Sequence, residues 1–226
     1  MALRNTSGGL IGLPDNEPEL QQFRRHCHQL LAVGYNRLRA DDHSESEEDK
    51  ITEELVAETK RFLRREFGPI PRWATRYSLN DQIPIHIPGV PSANRPKIDI
   101  EFESLRIARR PIFHFEAKRL REDDTHSVSA YVGPNGLGCF TSERYGRSET
   151  QGGMLGYVQS REPAEWSERI ATKLMADPDE YRLTNAGQWQ AEEIVRPLAA
   201  ARITMHSRPQ LGCIAIYHTM LDFRAA

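Results

Sequence analysis

Two short segments, KIDIEFES (97–104) and PIFHFEAKRL (111–120), alternate apolar and polar residues with the two-residue period of a β-strand. No other part of the 226-residue chain limits the fold as tightly. In the first segment Ile98, Ile100 and Phe102 share one face, and Asp99, Glu101 and Glu103 the other. In the second, Phe113, Phe115 and Ala117 oppose His114, Glu116 and Lys118. Taken as adjacent antiparallel strands with a turn centred between Ile107 and Ala108, they set Asp99 opposite Glu116. Side chains so paired lie roughly 4.5–5.5 Å apart at Cβ. Two carboxylates at that separation repel unless a cation lies between them. A divalent ion that prefers oxygen, Mg²⁺ above all, meets that need.

The elements around this pair place it within a layered domain. Leu20, Phe23, Cys27, Leu30, Leu31 and Leu38 recur at helical spacing between Glu17 and about Arg39. The acidic stretch DDHSESEED then reads as a linker too polar to bury. A second helix follows over KITEELVAETKRFLRREF, with acids near its start, Arg64 and Arg65 near its end, and Gly68-Pro69 as its stop. Prolines 69, 71, 84, 88, 91 and 96 predict irregular chain with short extended pieces such as IPIHIPGV. GPNGLG marks a turn, SETQGGMLGYVQS reads as a helix, and PAEWSERIATKLM as a firmer one. The closing RITMHSRPQLGCIAIYHTMLDF holds two strands around Arg208-Pro209-Gln210. The expected class is α/β, helices on a central mixed sheet, with residues 1–47 as an N-terminal arm, helix and linker.

Asp99, a gap, then Glu116-Ala117-Lys118 at the end of an apolar strand resembles the PD-(D/E)XK nuclease superfamily, the restriction-endonuclease-like fold. That resemblance implies a core running helix, three mainly antiparallel strands, helix, strand, covering residues 48–226. It further implies that Asp99 and Glu116 bind Mg²⁺ or Mn²⁺, that the Ala117 carbonyl adds a ligand, and that Lys118 positions the attacking water. Many members add a glutamate from the first helix; Glu48 is the candidate, with Glu53 and Glu54 as rivals. The chain departs from the pattern in lacking a proline directly before Asp99 and a Gln-x-x-x-Tyr signature in the later helix. The implied activity is metal-dependent hydrolysis of DNA. Cutting both strands needs two such sites, so a homodimer joined through the helix at 17–39, or a partner protein, is expected. A bacterial restriction or anti-phage system is the implied setting. A non-catalytic nucleic-acid-binding or assembly module on the same fold, or an RNase toxin, are the alternatives.

Residues 104–121 carry Arg106, Arg109, Arg110, Lys118, Arg119 and Arg121 against one acid, Glu116, so phosphate contacts are expected there. Arg119 and Arg121 lie nearest the expected metal site; His206 and Arg208 share a face of an extended segment and are further candidates. His26 and His28 stand two apart in a helix and cannot grip one ion. A net charge of −2 gives no overall attraction to nucleic acid. Three separated cysteines suggest neither a disulfide framework nor a zinc knuckle, and no long apolar run or signal-peptide core is evident. A reduced, cytoplasmic protein is expected.

Overall fold

The computed structural model describes residues 18–85, 91, 95–105, 110–123, 125–145, 149–184, 189–195, 198 and 201–225. Helices α1 (Pro18–Leu38) and α2 (Glu48–Leu63) precede strands β1 (Tyr77–Pro84), β2 (Lys97–Ser104) and β3 (Ile112–Leu120). Short helices α3 (Val128–Val132) and α4 (Gly138–Thr141), strand β4 (Gln151–Val158) and helix α5 (Pro163–Ala176) follow. Strands β5 (Gln190–Ala191), β6 (Arg202–Arg208) and β7 (Gly212–Asp222) close the chain. The seven strands form one sheet in the order β1-β2-β3-β4-β7-β6-β5. The β3–β4 and β4–β7 pairs are parallel and the rest antiparallel, so the sheet is mixed.

The register joining β2 to β3 is the expected one: Ile100 faces Phe115 and Glu101 faces His114. The proline-rich stretch contributes a full edge strand, β1, paired along β2 from Tyr77 to Pro84. Arg106 and Arg109 lie outside the described residues, as does His86–Val90 of the extended IPIHIPGV piece.

The segment read as a helix at SETQGGMLGYVQS is instead β4, buried along its whole length. Glycine disfavours a helix, but what decides here is room. A Cβ on Gly153 would stand 2.2 Å from the Phe115 ring, and one on Gly156 would stand 2.5 Å from Leu120 and 2.6 Å from the Met220 sulfur. Large side chains of the flanking strands lie across β4, so this central strand has to be bare at those points.

Two cores sandwich the sheet. Helices α1 and α2 cover Phe113, Phe115, Leu155, Tyr157 and Tyr217 on one face. Trp166 and Ile170 of α5, with Tyr131 and Phe140, cover Met154, Ile214, Ile216 and Met220 on the other. Helix α1 is therefore an integral layer, not an extension: Phe23, Cys27, Leu30, Leu31 and Leu38 are buried in the same core as the sheet. Its apolar stripe is covered by this chain itself, so only its opposite, polar face is open to a second copy. Gly34 lets α1 touch α2, since a Cβ there would lie 2.2 Å from Thr59 Oγ1. Among the described residues no helix is long and apolar enough to cross a membrane.

The acidic segment between α1 and α2 is docked, not loose. Glu45 pairs with Arg121 at 2.6 Å, Glu47 with Arg119, and Glu48 with Lys118 at 2.9 Å. Gln159, just past β4, donates to the carbonyls of His43 (2.6 Å) and Ser46 (2.8 Å).

Candidate active site

The site forms where β2 and β3 part. Ile100–Phe115 is the last paired row between them. Beyond it, backbone N–H groups of β3 that face β2 need other acceptors. Ala117 N–H donates to Asp99 Oδ2 at 2.7 Å, and Arg119 N–H to Glu48 Oε2 at 2.9 Å. A fork in the sheet is thus filled by two carboxylates, one from β2 and one from the first turn of α2. Glu116 adds a third.

Lys118 lies among them. Its ammonium donates to Glu116 Oε1 at 2.8 Å, Glu48 Oε1 at 2.9 Å and the Ala117 carbonyl at 2.6 Å. These acceptors are three of the four groups expected to hold metal, and Asp99 adjoins them through Ala117 N–H. Glu48 is the helix glutamate at the site; Glu54 lies away from it, beside Lys50 and His43. Glu116 is 5% exposed and Asp99 9%. The second oxygen of Glu116, Oε2, is buried without a hydrogen-bond partner. The Tyr145 phenol stands near Glu116 but gives its proton to the Lys97 carbonyl.

Burial dominates the electrostatics. It pushes Asp99 up to about 6 against the pull of Lys118. Glu116 goes further, to about 8, through burial and then the charge of Asp99. Burial works against the charge on Lys118, yet Glu116, Glu48 and Asp99 outweigh it and raise its pKa. Lys118 thus neutralises the fork from within, and two acids raised above their ordinary range would ionise more readily with any further cation brought among them.

Among the described residues, no group of three or more His, Cys, Asp or Glu side chains forms a ready-made metal cage. The donor set nonetheless suits a hard divalent ion: carboxylates and a carbonyl, all oxygen, with one carboxylate oxygen buried and unpartnered. The residues fit.

Two neighbours were not singled out from sequence. Gln82 donates to Asp99 Oδ1 at 3.4 Å from a backbone with φ of 50°, and the β1–β2 ladder skips its row. Its proline-rich surroundings hid it. Tyr145 lies in a loop that carries no periodic signal. One row from the carboxylates, His114 Nε2 is 3.0 Å from Glu101.

The remaining candidates sit elsewhere or are engaged. Arg119 is buried, and it donates to Gln159 at 3.0 Å and pairs with Glu47, so it ties β3 to the acidic segment. Arg121 is partly exposed and paired with Glu45. His206 is fully buried and serves the core: its Nδ1 donates to the Tyr181 carbonyl at 2.7 Å, and its Nε2 meets Thr204 Oγ1 at 2.7 Å. Arg208 is buried and donates to the Leu211 carbonyl at 3.1 Å, within the β6–β7 turn. A histidine and an arginine on one extended face do not reveal whether that face meets solvent or α-helices.

Set against known proteins, the chain matches no protein-family model, no curated protein and no solved structure.

Proposed function

We propose that the protein is a metal-dependent nuclease of the PD-(D/E)XK kind, hydrolysing phosphodiester bonds of DNA, with restriction or anti-phage defence as its setting. The observation that carries this reading is the fork itself. Glu48, Glu116 and the Ala117 carbonyl meet around Lys118, Asp99 accepts from Ala117 N–H beside them, and a buried oxygen of Glu116 stands unpartnered. The order α2, β1, β2, β3, α3, β4, with the first three strands antiparallel, agrees with the order the resemblance implies.

Asp99, Glu116, the Ala117 carbonyl and Glu48 would hold the ion. A bound Mg²⁺ or Mn²⁺ supplies charge neutralisation at the phosphoryl oxygens and a water acidic enough to ionise near neutral pH. The chain supplies the rest. Glu116 and Asp99 sit in a desolvated fork, where fixed charges act with little screening. Lys118, at the end of its four-carbon stem, orients the attacking water and stabilises negative charge as it develops. Cutting both strands of a duplex takes two such sites, hence two copies of the chain or a partner.

Incubating plasmid DNA with the protein and Mg²⁺ or Mn²⁺ tests this. Nicked or linear product is expected, falling by roughly 10²-fold or more in Asp99→Ala, Glu116→Ala and Lys118→Ala. Binding without cleavage, indifferent to all three substitutions, would make the protein a non-catalytic module. Digestion of RNA alone would move the substrate.

A further inference from the structure

Lys118 occupies an unusual post for a residue expected to meet a water molecule. All three of its hydrogen bonds go to oxygens of the expected metal-binding set: Glu48 Oε1, Glu116 Oε1 and the Ala117 carbonyl, at 2.6–2.9 Å. An ion bonded to those same oxygens at about 2.0–2.6 Å would stand where the ammonium nitrogen now stands. Two cations cannot share that point. The side chain is 15% exposed, so leaving means finding another anion, not simply turning into water.

We infer that Lys118 is the site's own resident cation, and that a divalent metal gains Glu48, Glu116 and the Ala117 carbonyl only by displacing its ammonium. The inference rests on the nuclease reading and adds a regulatory property to it. The free protein keeps its carboxylates neutralised internally and so binds metal weakly. The displaced ammonium needs a new anionic partner, and a phosphate of the nucleic acid is the group that can provide one. Metal and nucleic acid then favour each other's binding through a single side chain, a coupling that typically amounts to about 5–150-fold in affinity.

The competing geometry is specific. Glu116 Oε2 is free of partners, so an ion could enter from that side with Asp99 and leave Lys118 in place. The two arrangements differ in what removing the ammonium does.

Calorimetric titration with Mn²⁺, in the absence of nucleic acid, separates them. Lys118→Met should bind Mn²⁺ about tenfold tighter than the unaltered protein, or more. Lys118→Gln, which keeps polar reach without charge, should gain similarly and serves if the methionine variant folds poorly. Lys118→Arg, which keeps the charge, should gain nothing. Equal or weaker Mn²⁺ affinity in both neutral variants would overturn the inference and place the ion on the Oε2 side. If metal-dependent, Asp99-dependent cleavage persists in the unaltered protein, the nuclease reading survives that result. If neither the unaltered protein nor any variant takes up Mn²⁺, both fall together.

Discussion

The sheet carries two buried polar clusters, and they are built on opposite terms. Across β6 and β7 runs a chain of neutral groups. Tyr131 O–H meets His218 Nδ1 (3.1 Å), His218 Nε2 meets Thr204 Oγ1 (2.8 Å), Thr204 meets His206 Nε2 (2.7 Å), and His206 Nδ1 meets the Tyr181 carbonyl (2.7 Å). The Tyr181 carbonyl can only accept, so each donor in turn has one direction and every ring nitrogen is used. At the β2–β3 fork, by contrast, two carboxylates hold one ammonium, a third adjoins them through Ala117 N–H, and a buried oxygen has no partner. A satisfied neutral network fixes a core; a charged and incompletely satisfied one stores a demand for something else. The comparison gives the histidines a structural role and supports placing the proposed chemistry at the acids.

The largest expected effect comes from breaking the neutral chain. Thr204→Val keeps the shape but leaves His206 Nε2 without a donor and His218 Nε2–H without an acceptor. The expected loss is about 2–6 kcal/mol of stability, from two buried groups at ~1–3 kcal/mol each. Urea unfolding followed by circular dichroism reads it. Nuclease activity per folded molecule should stay unchanged. At the fork, Glu116→Gln should do the reverse, abolishing cleavage while shifting the unfolding midpoint little near pH 7. Equal stability losses at both places would erase the contrast.

A pH series sharpens the same contrast, because the clusters titrate in opposite senses. Burial lowers His206 to about 4 and His218 well below its ordinary value, so unfolded chains bind protons there first as pH falls below about 6.5. These histidines therefore contribute stability that is present above 6.5 and lost as pH falls toward 4. The fork carboxylates are raised, Asp99 to about 6 and Glu116 to about 8. Their contribution is present below the ordinary carboxylate range and lost as pH rises through those values. Between about 6.5 and 8 the histidines are silent and Glu116 dominates. Metal-free protein should lose stability there at no more than about 1.4 kcal/mol per pH unit, and Glu116→Gln should not. A flat profile in the unaltered protein would mean that Glu116 is already ionised at pH 6.5.

How far these clusters could be read from the sequence follows from the same contrast. The alternation in β2 and β3, with the assumed turn centre, yields the observed register and so places Asp99 beside the Glu116–Lys118 strand; period and register are local properties. Glu48 was reachable because it opens a helix whose stripe is plain. β4 was misread because its glycines reflect the girth of Phe115, Leu120 and Met220 on flanking strands, and such contacts leave no mark in the segment itself. The acidic segment looked like a linker because composition does not reveal that Arg119, Arg121 and Gln159 wait for it. His206 was misassigned for a related reason: the role of a polar residue on a strand depends on what covers that face.

Gln82 gives the smallest expected effect and the finest test of where the fork ends. It sits on an edge strand with φ of 50°, a conformation that costs a non-glycine residue roughly 1–2 kcal/mol, and its amide meets Asp99 Oδ1 at a long 3.4 Å. Gln82→Gly removes both the strain and the contact. Greater chain freedom in the unfolded state, about 0.5–1 kcal/mol, offsets part of the gain, leaving stability equal or slightly higher. Gln82→Ala removes only the contact, keeps the strain, and should be slightly less stable than the glycine variant. If the side chain helps hold Asp99, cleavage should fall by about 2–10-fold in both, the value of one modest hydrogen bond. Activity that instead tracks stability, preserved in glycine and reduced in alanine, would confine Gln82 to shaping the edge strand. The site would then end at the four groups that surround Lys118 and Ala117.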